Sequence, residues 1–203
     1  MRFRKSLVAS PAIALLLCVL SASPLPAQFA IRPVNLAYLS QRADIILQGR
    51  VTNVSRKTLP GYPNIPIVEV TLQVERSLRG LTGKTYTFRE LYLGMRSNRG
   101  KNAYKIGQRL FMFLPTPSQY GLSSPVGIGQ GRFHIALDAK GGTRLANEQG
   151  NAGIFRDVER DFARSGKRLT SGQRRLASTT RGPVPLDEFV SLVNSLMTLP
   201  RIR

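Results

Sequence analysis

Residues 68–75 constrain the fold most. Val68, Val70, Leu72 and Val74 alternate with Glu69, Thr71, Gln73 and Glu75, a period of two that suits an extended strand with one apolar and one wet face. Gly80 closes the run. The same period recurs on both sides of it. Residues 45–54 place Ile45, Leu47 and Val51 apolar, with Gly49 suited to a bulge or bend. A turn-forming loop at residues 60–66 leads into the first run. Residues 84–93 alternate around Tyr86, Phe88 and Tyr92, and residues 132–138 put Phe133, Ile135 and Leu137 on one face. Lys140-Gly141-Gly142 makes a turn from which residues 143–148 pair back. Leu110-Phe111-Met112-Phe113-Leu114 is apolar without a break and reads as a strand buried on both faces, ended by Pro115 and Pro117.

Five to six strands with short connections and no long interleaved helix predict a mainly β chain, as a small antiparallel OB-like barrel or a small sandwich. Two helices frame it. Residues 35–43 form a short N-terminal helix with Leu36 and Leu39 facing inward. After Pro183-Val184-Pro185, the residues Leu186, Phe189, Val190, Val193, Leu196 and Met197 recur at helical spacing, and Pro200 stops them. Asp187 and Glu188 fall in the first turn, where the helix dipole favours anions. So short an amphipathic helix is not stable alone in water. Its stripe must dock, and the barrel is the expected seat.

The first 27 residues have the layout of a signal peptide. Arg2, Arg4 and Lys5 precede an apolar run from Leu7 to Leu20, followed by small and turn-forming residues up to Ala27. The run is shorter than the roughly 20 residues of a spanning helix, and Pro11 interrupts it. The expected cut lies between Ala27 and Gln28, giving a secreted or periplasmic protein with no integral membrane span. The expected organisation is a signal peptide at 1–27, a β-barrel domain at 28–155, a basic linker at 156–182 and a C-terminal helix at 183–203. Cys18, the single cysteine, lies inside the apolar run with leucines before it and Val19-Leu20 after it. That placement does not suit lipid attachment. With the leader removed, thiol catalysis, disulfides and cysteine–zinc sites go together.

Catalytic signatures are few. His134 is the single histidine, placed opposite Phe133 and Ile135 and read as a surface strand residue. One histidine cannot build a multi-histidine metal site, and no Gly-x-Ser-x-Gly elbow accompanies it. Glu69 and Glu75 share a strand face but lie about 20 Å apart at strand rise. Asp157-x-Glu159-x-Asp161 lacks the glycine and terminal glutamate of a calcium loop and is interleaved with Arg156, Arg160 and Arg164. Gly127-Ile128-Gly129-Gln130-Gly131 lacks the Lys-Ser/Thr ending of a phosphate loop. No catalytic residue, cofactor or metal is expected. Tyr86, Phe88 and Tyr92 are the aromatic side chains best placed to stack on a ligand, with core packing the simpler role.

Charge adds a partner class. Thirty Lys and Arg face eleven Asp and Glu, for a net charge of +19, and loss of Arg2, Arg4 and Lys5 with the leader leaves +16. The cations crowd at Arg156, Arg160, Arg164, Lys167, Arg168, Arg174, Arg175 and Arg181. In a segment rich in Ser, Thr and Gly, such crowding reads first as a solvated linker and second as a polyanion contact. Only seven of the thirty are lysine, an arginine excess that coding bias also produces. The expected function is an exported, non-catalytic binding or interaction module, its partner an anionic polymer or an envelope protein. A polyanion-binding protein using the eight cations, and a secreted hydrolase with a dispersed serine site around His134, are the alternatives.

Residues 43–51 (Ala-Asp-Ile-Ile-Leu-Gln-Gly-Arg-Val), 70–80 (Val-Thr-Leu-Gln-Val-Glu-Arg-Ser-Leu-Arg-Gly) and 106–114 (Ile-Gly-Gln-Arg-Leu-Phe-Met-Phe-Leu) carry a resemblance. In them the chain resembles an uncharacterised family of exported bacterial proteins. It is also similar to netrin-module and tissue-inhibitor-of-metalloprotease-like barrels. The resemblance covers about a third of the chain and implies an OB-type barrel and a non-enzymatic role. The protease-inhibiting members depend on a cysteine at the mature N-terminus, which this sequence lacks, so inhibition is not carried over.

Overall fold

A hairpin of two long strands, β1 (Ile45–Leu59) and β2 (Tyr62–Arg79), forms the spine of the protein. The computed structural model describes residues 33–92 and 103–200, which belong to one unit spanning Arg32–Arg203. The expected cleavage site at Ala27 and Gln28 lies outside the described residues. Register shifts follow Ile46, Gln48, Val51 and Thr58, and each such bulge bends the ribbon and tightens its twist. Gly49 stands at one of them. A Cβ there would come 2.7 Å from the Gln73 carbonyl oxygen, so a larger residue would force β2 away.

The remaining strands are β3 (Thr85–Leu91), β4 (Arg109–Leu114), β5 (Arg132–Leu137), β6 (Thr143–Asn147) and β7 (Val184–Pro185). All pairs are antiparallel, in the order β3-β2-β1-β4-β5-β6-β7. Among the described residues four helices accompany the sheet: α1 (Leu36–Arg42), α2 (Val158–Arg164), α3 (Ser171–Ala177) and α4 (Leu186–Met197).

Two apolar cores lie on opposite faces of the sheet, and β4 supplies both. All of Leu110 to Leu114 are 0% exposed. Phe111 and Phe113 join the helical core, whereas Leu110, Met112 and Leu114 join Leu47, Val51, Val68, Val70, Leu72 and Phe88 on the other side. Phe189 of α4 is the hub of the helical core. Its ring centroid lies 5.0 Å from Phe133, 5.4 Å from Phe111 and 6.4 Å from both Phe113 and Phe155. The amphipathic stripe of α4 is therefore seated on its own sheet, with Leu192, Val193 and Leu196 buried beside Leu36 and Leu39 of α1.

Tyr104 marks how far the sheet curls. Its ring meets Phe88 of β3 at 5.6 Å and takes the Arg132 guanidinium of β5 at 4.5 Å, although three strands separate β3 from β5. The curl stops short of closure. One backbone bond, Ser123 N to Arg89 O at 2.8 Å, ties the segment after β4 to the outer edge of β3.

Several expectations need correction. The sheet is open and has seven strands, not a closed barrel of five or six, because β3 and β5 do not pair and β7 extends the far edge. The 60–66 loop shrinks to a Pro60–Gly61 turn, and β2 runs through Pro63 and Pro66. The 156–182 segment, expected as a linker, carries α2 and α3. Val158 and Phe162 on α2, then Leu169 and Leu176, face the core, and Thr170 with Gln173 forms a reciprocal N-terminal capping box on α3. Val184–Pro185, read as punctuation, pairs with Arg144 and Leu145.

Phe189→Ala should cost about 3–5 kcal/mol, as deletion of a fully enclosed ring does elsewhere. Urea denaturation of the two proteins measures this, and a loss below about 1 kcal/mol would show that α4 is not part of the core.

Candidate functional site: an exposed arginine face and a buried arginine

Helical spacing sorts the 156–182 segment into an apolar and a basic side. On α2, Val158 and Phe162 point inward while Arg160 and Arg164 are exposed. On α3, Gln173 and Leu176 point inward while Arg174 and Arg175 are exposed. Gln173 fastens α3 to α4 through its Nε2, which donates to Ser195 Oγ at 2.8 Å. All eight cations named from the sequence are exposed.

Their partners divide them. Arg160 pairs with Asp157 at 3.0 Å, Arg174 with Glu159 at 3.7 Å and Arg175 with Glu188 at 3.6 Å. Lys167 Nζ donates to the Thr198 carbonyl and hydroxyl at 3.0 and 2.7 Å, bracing the end of α4. Arg156 Nη2 donates to Pro33 O at 3.3 Å. Arg164, Arg168 and Arg181 enter no ion pair among the described residues. Arg174–Glu159 joins α3 to α2. Arg181 lies beside Gly150, where Gly182 N donates to Gly150 O at 2.7 Å.

One further cation belongs to this layer and was not legible in the segment. Arg42 ends α1, with its guanidinium 5.6 Å from the Tyr38 ring. Its neighbour Gln41 donates to Pro200 O at 3.1 Å, two residues beyond the Thr198 that Lys167 holds. More than a hundred residues of chain separate Arg42 from Lys167.

Carboxylates do little to offset this field. Glu69 is held by Lys57 and Arg89, and Glu75 by Arg109, Gln48 and Arg50. Those hydrogen bonds hold both carboxyls below the ordinary range, that from Lys57 leading for Glu69 and that from Arg109 for Glu75. Asp44 accepts from Thr116, Glu90 from Tyr104, Asp138 from Arg144 and Glu148 from Arg132. Asp187 faces Arg76 at 3.8 Å. Ten of the eleven carboxylates thus have an ion-pair or hydrogen-bond partner, and burial raises the pKa of the eleventh, Asp161, against the nearby charges of Arg160 and Arg164.

The second constellation is internal. Arg132 is fully buried on β5, where Nη2 donates to Glu148 Oε1 and the guanidinium lies over Tyr104. Tyr104 in turn donates its hydroxyl to Glu90 Oε1 at 3.0 Å. Burial opposes the charge of Arg132, but Tyr104 and Glu148 outweigh it and hold the pKa above its ordinary value. Burial and then Glu90 push the Tyr104 hydroxyl well up, so it remains a neutral donor. A buried charge needs such company. Alternation held the signal for Glu90, which shares the inward face with Phe88, but put Arg132 with His134 on the face read as outward.

His134 is half-buried rather than on the surface, because that strand face turns toward Tyr104 under the curl of the sheet. Its Nδ1 lies 2.7 Å from Gln108 Nε2. The aromatic trio is also placed inward. Phe88 is buried with Tyr86 stacked on it at 6.4 Å, and Tyr92 is covered by the Arg56 guanidinium at 4.7 Å. Among the described residues, no group of three or more His, Cys, Asp or Glu is arranged to hold a metal ion, and no helix is long and apolar enough to cross a membrane. Comparison of the chain with family models, with curated proteins and with solved structures returns no match.

Burial, then the neighbouring Arg132 charge, push the His134 pKa from 6.5 down to about 4. Between those values the unfolded chain binds a proton that the folded chain does not, so stability falls as pH is lowered through that window. The urea midpoint should drop from pH 7 to pH 5, before the lowered carboxylates begin to titrate. In His134→Gln that slope should vanish. A wild-type midpoint that stays level over this range would contradict the burial of His134.

Proposed function

We propose that this chain is an exported, non-catalytic binding protein whose ligand presents closely spaced anionic groups, gripped by the outer sides of α2 and α3. One observation carries the reading. Cations outnumber carboxylates by thirty to eleven, and ten of those carboxylates are already engaged, while Arg164 and Arg168 lie exposed on this layer without an ion pair. A surface of one sign raises the local concentration and association rate of an oppositely charged partner.

Export is part of the proposal and rests on the order of charges, apolar run and small residues up to Ala27. The likeness to netrin-type, OB-like barrels is also part of it and rests on the motifs at residues 43–51, 70–80 and 106–114. The rival reading, a hydrolase using His134, has less behind it. The Nδ1 position that a carboxylate occupies in a serine triad faces Gln108 here, and the low pKa leaves the imidazole a weak base.

The test is salt dependence. Binding to a single-stranded oligonucleotide and to heparin should weaken steeply with added salt. Replacing Arg164, Arg168 and Arg181 with glutamine should lower the slope for the oligonucleotide by about 2, at roughly 0.7 for each phosphate left without its arginine. An unchanged slope would place the binding surface elsewhere, and no binding of the wild-type protein to either probe would overturn the proposal.

A further inference from the structure

The glycine-rich segment between β4 and β5 holds a backbone anomaly that the arginine face does not explain. Gly127, Ile128 and Gly129 stand at φ +73°, +55° and +87° in succession. Glycine adopts that region freely, but a β-branched side chain in it is a steric outlier. Ile128 recovers nothing from the core, being 60% exposed. Strain at an exposed apolar residue points to a use outside the folded chain.

The tip is held out by its surroundings. The side chain of Gln130 is buried, its Oε1 accepting from Val34 N at 3.0 Å and its Nε2 donating to Gly127 O at 3.1 Å. Asn147 Nδ2 donates to Gln130 O at 3.3 Å. A Cβ on Gly127 would lie 2.8 Å from the Val34 side chain, so the loop packs tightly at its base and only Ile128 projects.

One cation is tied to the segment that the loop packs on. Arg156 reaches Pro33 O, and Asn35 Nδ2 donates to Arg156 O at 3.0 Å. Asn35 also caps α1 by accepting from Tyr38 N. Tyr38 is 41% exposed and stands one turn before Arg42. The base of the loop packs on Val34, and from Val34 the chain runs through Asn35 into α1, where exposed Tyr38 and the Arg42 guanidinium follow one turn apart. Soluble polyanions would engage the guanidinium groups and leave Ile128 idle. An anionic bilayer engages both, since its phosphates meet the arginines and its acyl boundary accepts the isoleucine.

We propose that Ile128 is the apolar anchor of a peripheral contact with an anionic lipid bilayer, flanked by Arg156, Tyr38 and Arg42. This rests on the anionic-ligand reading above for the charge of the ligand, adds to it residues outside α2 and α3, and commits the ligand to lipid headgroups. The test compares wild type with Ile128→Gly on vesicles of mixed phosphatidylglycerol and phosphatidylcholine, on vesicles of phosphatidylcholine alone, and on heparin. The mixed vesicles should bind wild type and lose about tenfold or more affinity for the glycine variant. Phosphatidylcholine alone should bind poorly. Heparin retention should not change, and Tm should hold or rise because glycine relieves the left-handed strain. Ile106→Ser, at a comparably exposed isoleucine in the turn before β4, should leave vesicle binding intact.

Equal vesicle affinity of wild type and Ile128→Gly would overturn the proposal, as would equal binding to both vesicle types. A fall in Tm with Ile128→Gly would assign the side chain a structural role and overturn it as well. Heparin binding without vesicle binding would end this inference and leave the anionic-ligand reading standing. Failure to bind either would end both.

Discussion

Burial of β4 on both faces is the constraint on which the rest of the structure depends. Leu110, Met112 and Leu114 face one core and Phe111 and Phe113 the other, so neither layer can loosen without exposing the back of the same strand. Each enclosed side chain of this kind contributes roughly 1.5–3 kcal/mol by transfer. The long β1–β2 hairpin closes one side, bent by its bulges around Tyr104. The helices close the other, converging on Phe189. With no cysteine among the described residues, this shared strand supplies the cohesion that disulfides provide in many small domains.

Charge is distributed according to the same geometry. The cation inside the sheet, Arg132, is tied to Glu148 and Tyr104, as removal from water demands. Outside, Arg164 and Arg168 occupy the side of the helical layer that apolar spacing leaves to solvent. Surface pairs such as Arg174–Glu159 and Arg175–Glu188 are long and exposed and contribute little to stability. They temper the positive field without cancelling it. Excess positive charge opposes compactness by self-repulsion, and the double core provides the margin to tolerate it.

What the sequence made legible was whatever depends on neighbours. The alternation at Val68–Val74, the unbroken run at Leu110–Leu114 and the stripe from Leu186 to Met197 each declare their faces within a dozen residues; the structure places the last two as read and the first as far as Leu72, with Glu69 buried and Val74 in neither core. The errors are non-local. Whether a curled sheet closes depends on pairing between β3 and β5, which no short pattern encodes, and β7 exists only because two residues meet Arg144 and Leu145. In α2 and α3 the inward positions, Val158, Phe162, Leu169 and Leu176, are sparse among Ser, Gly and Arg, so composition masked the period. Glu90 had the right alternation to be seen as inward and Arg132 did not, and the burial of both depends on Tyr104 arriving from another loop.

Native-state hydrogen exchange under increasing denaturant tests the central claim most directly, since it reports the opening free energy of each element separately. If β4 joins the two cores into one cooperative unit, amides of Phe111, Met112 and Phe113 will be the slowest. Those of Leu72 in β2 and of Val193 in α4 will then merge with them on a single global opening. Exchange of α4 amides at a distinctly lower free energy, while β1, β2 and β4 stay protected, would show that the helical layer opens alone and contradict the account.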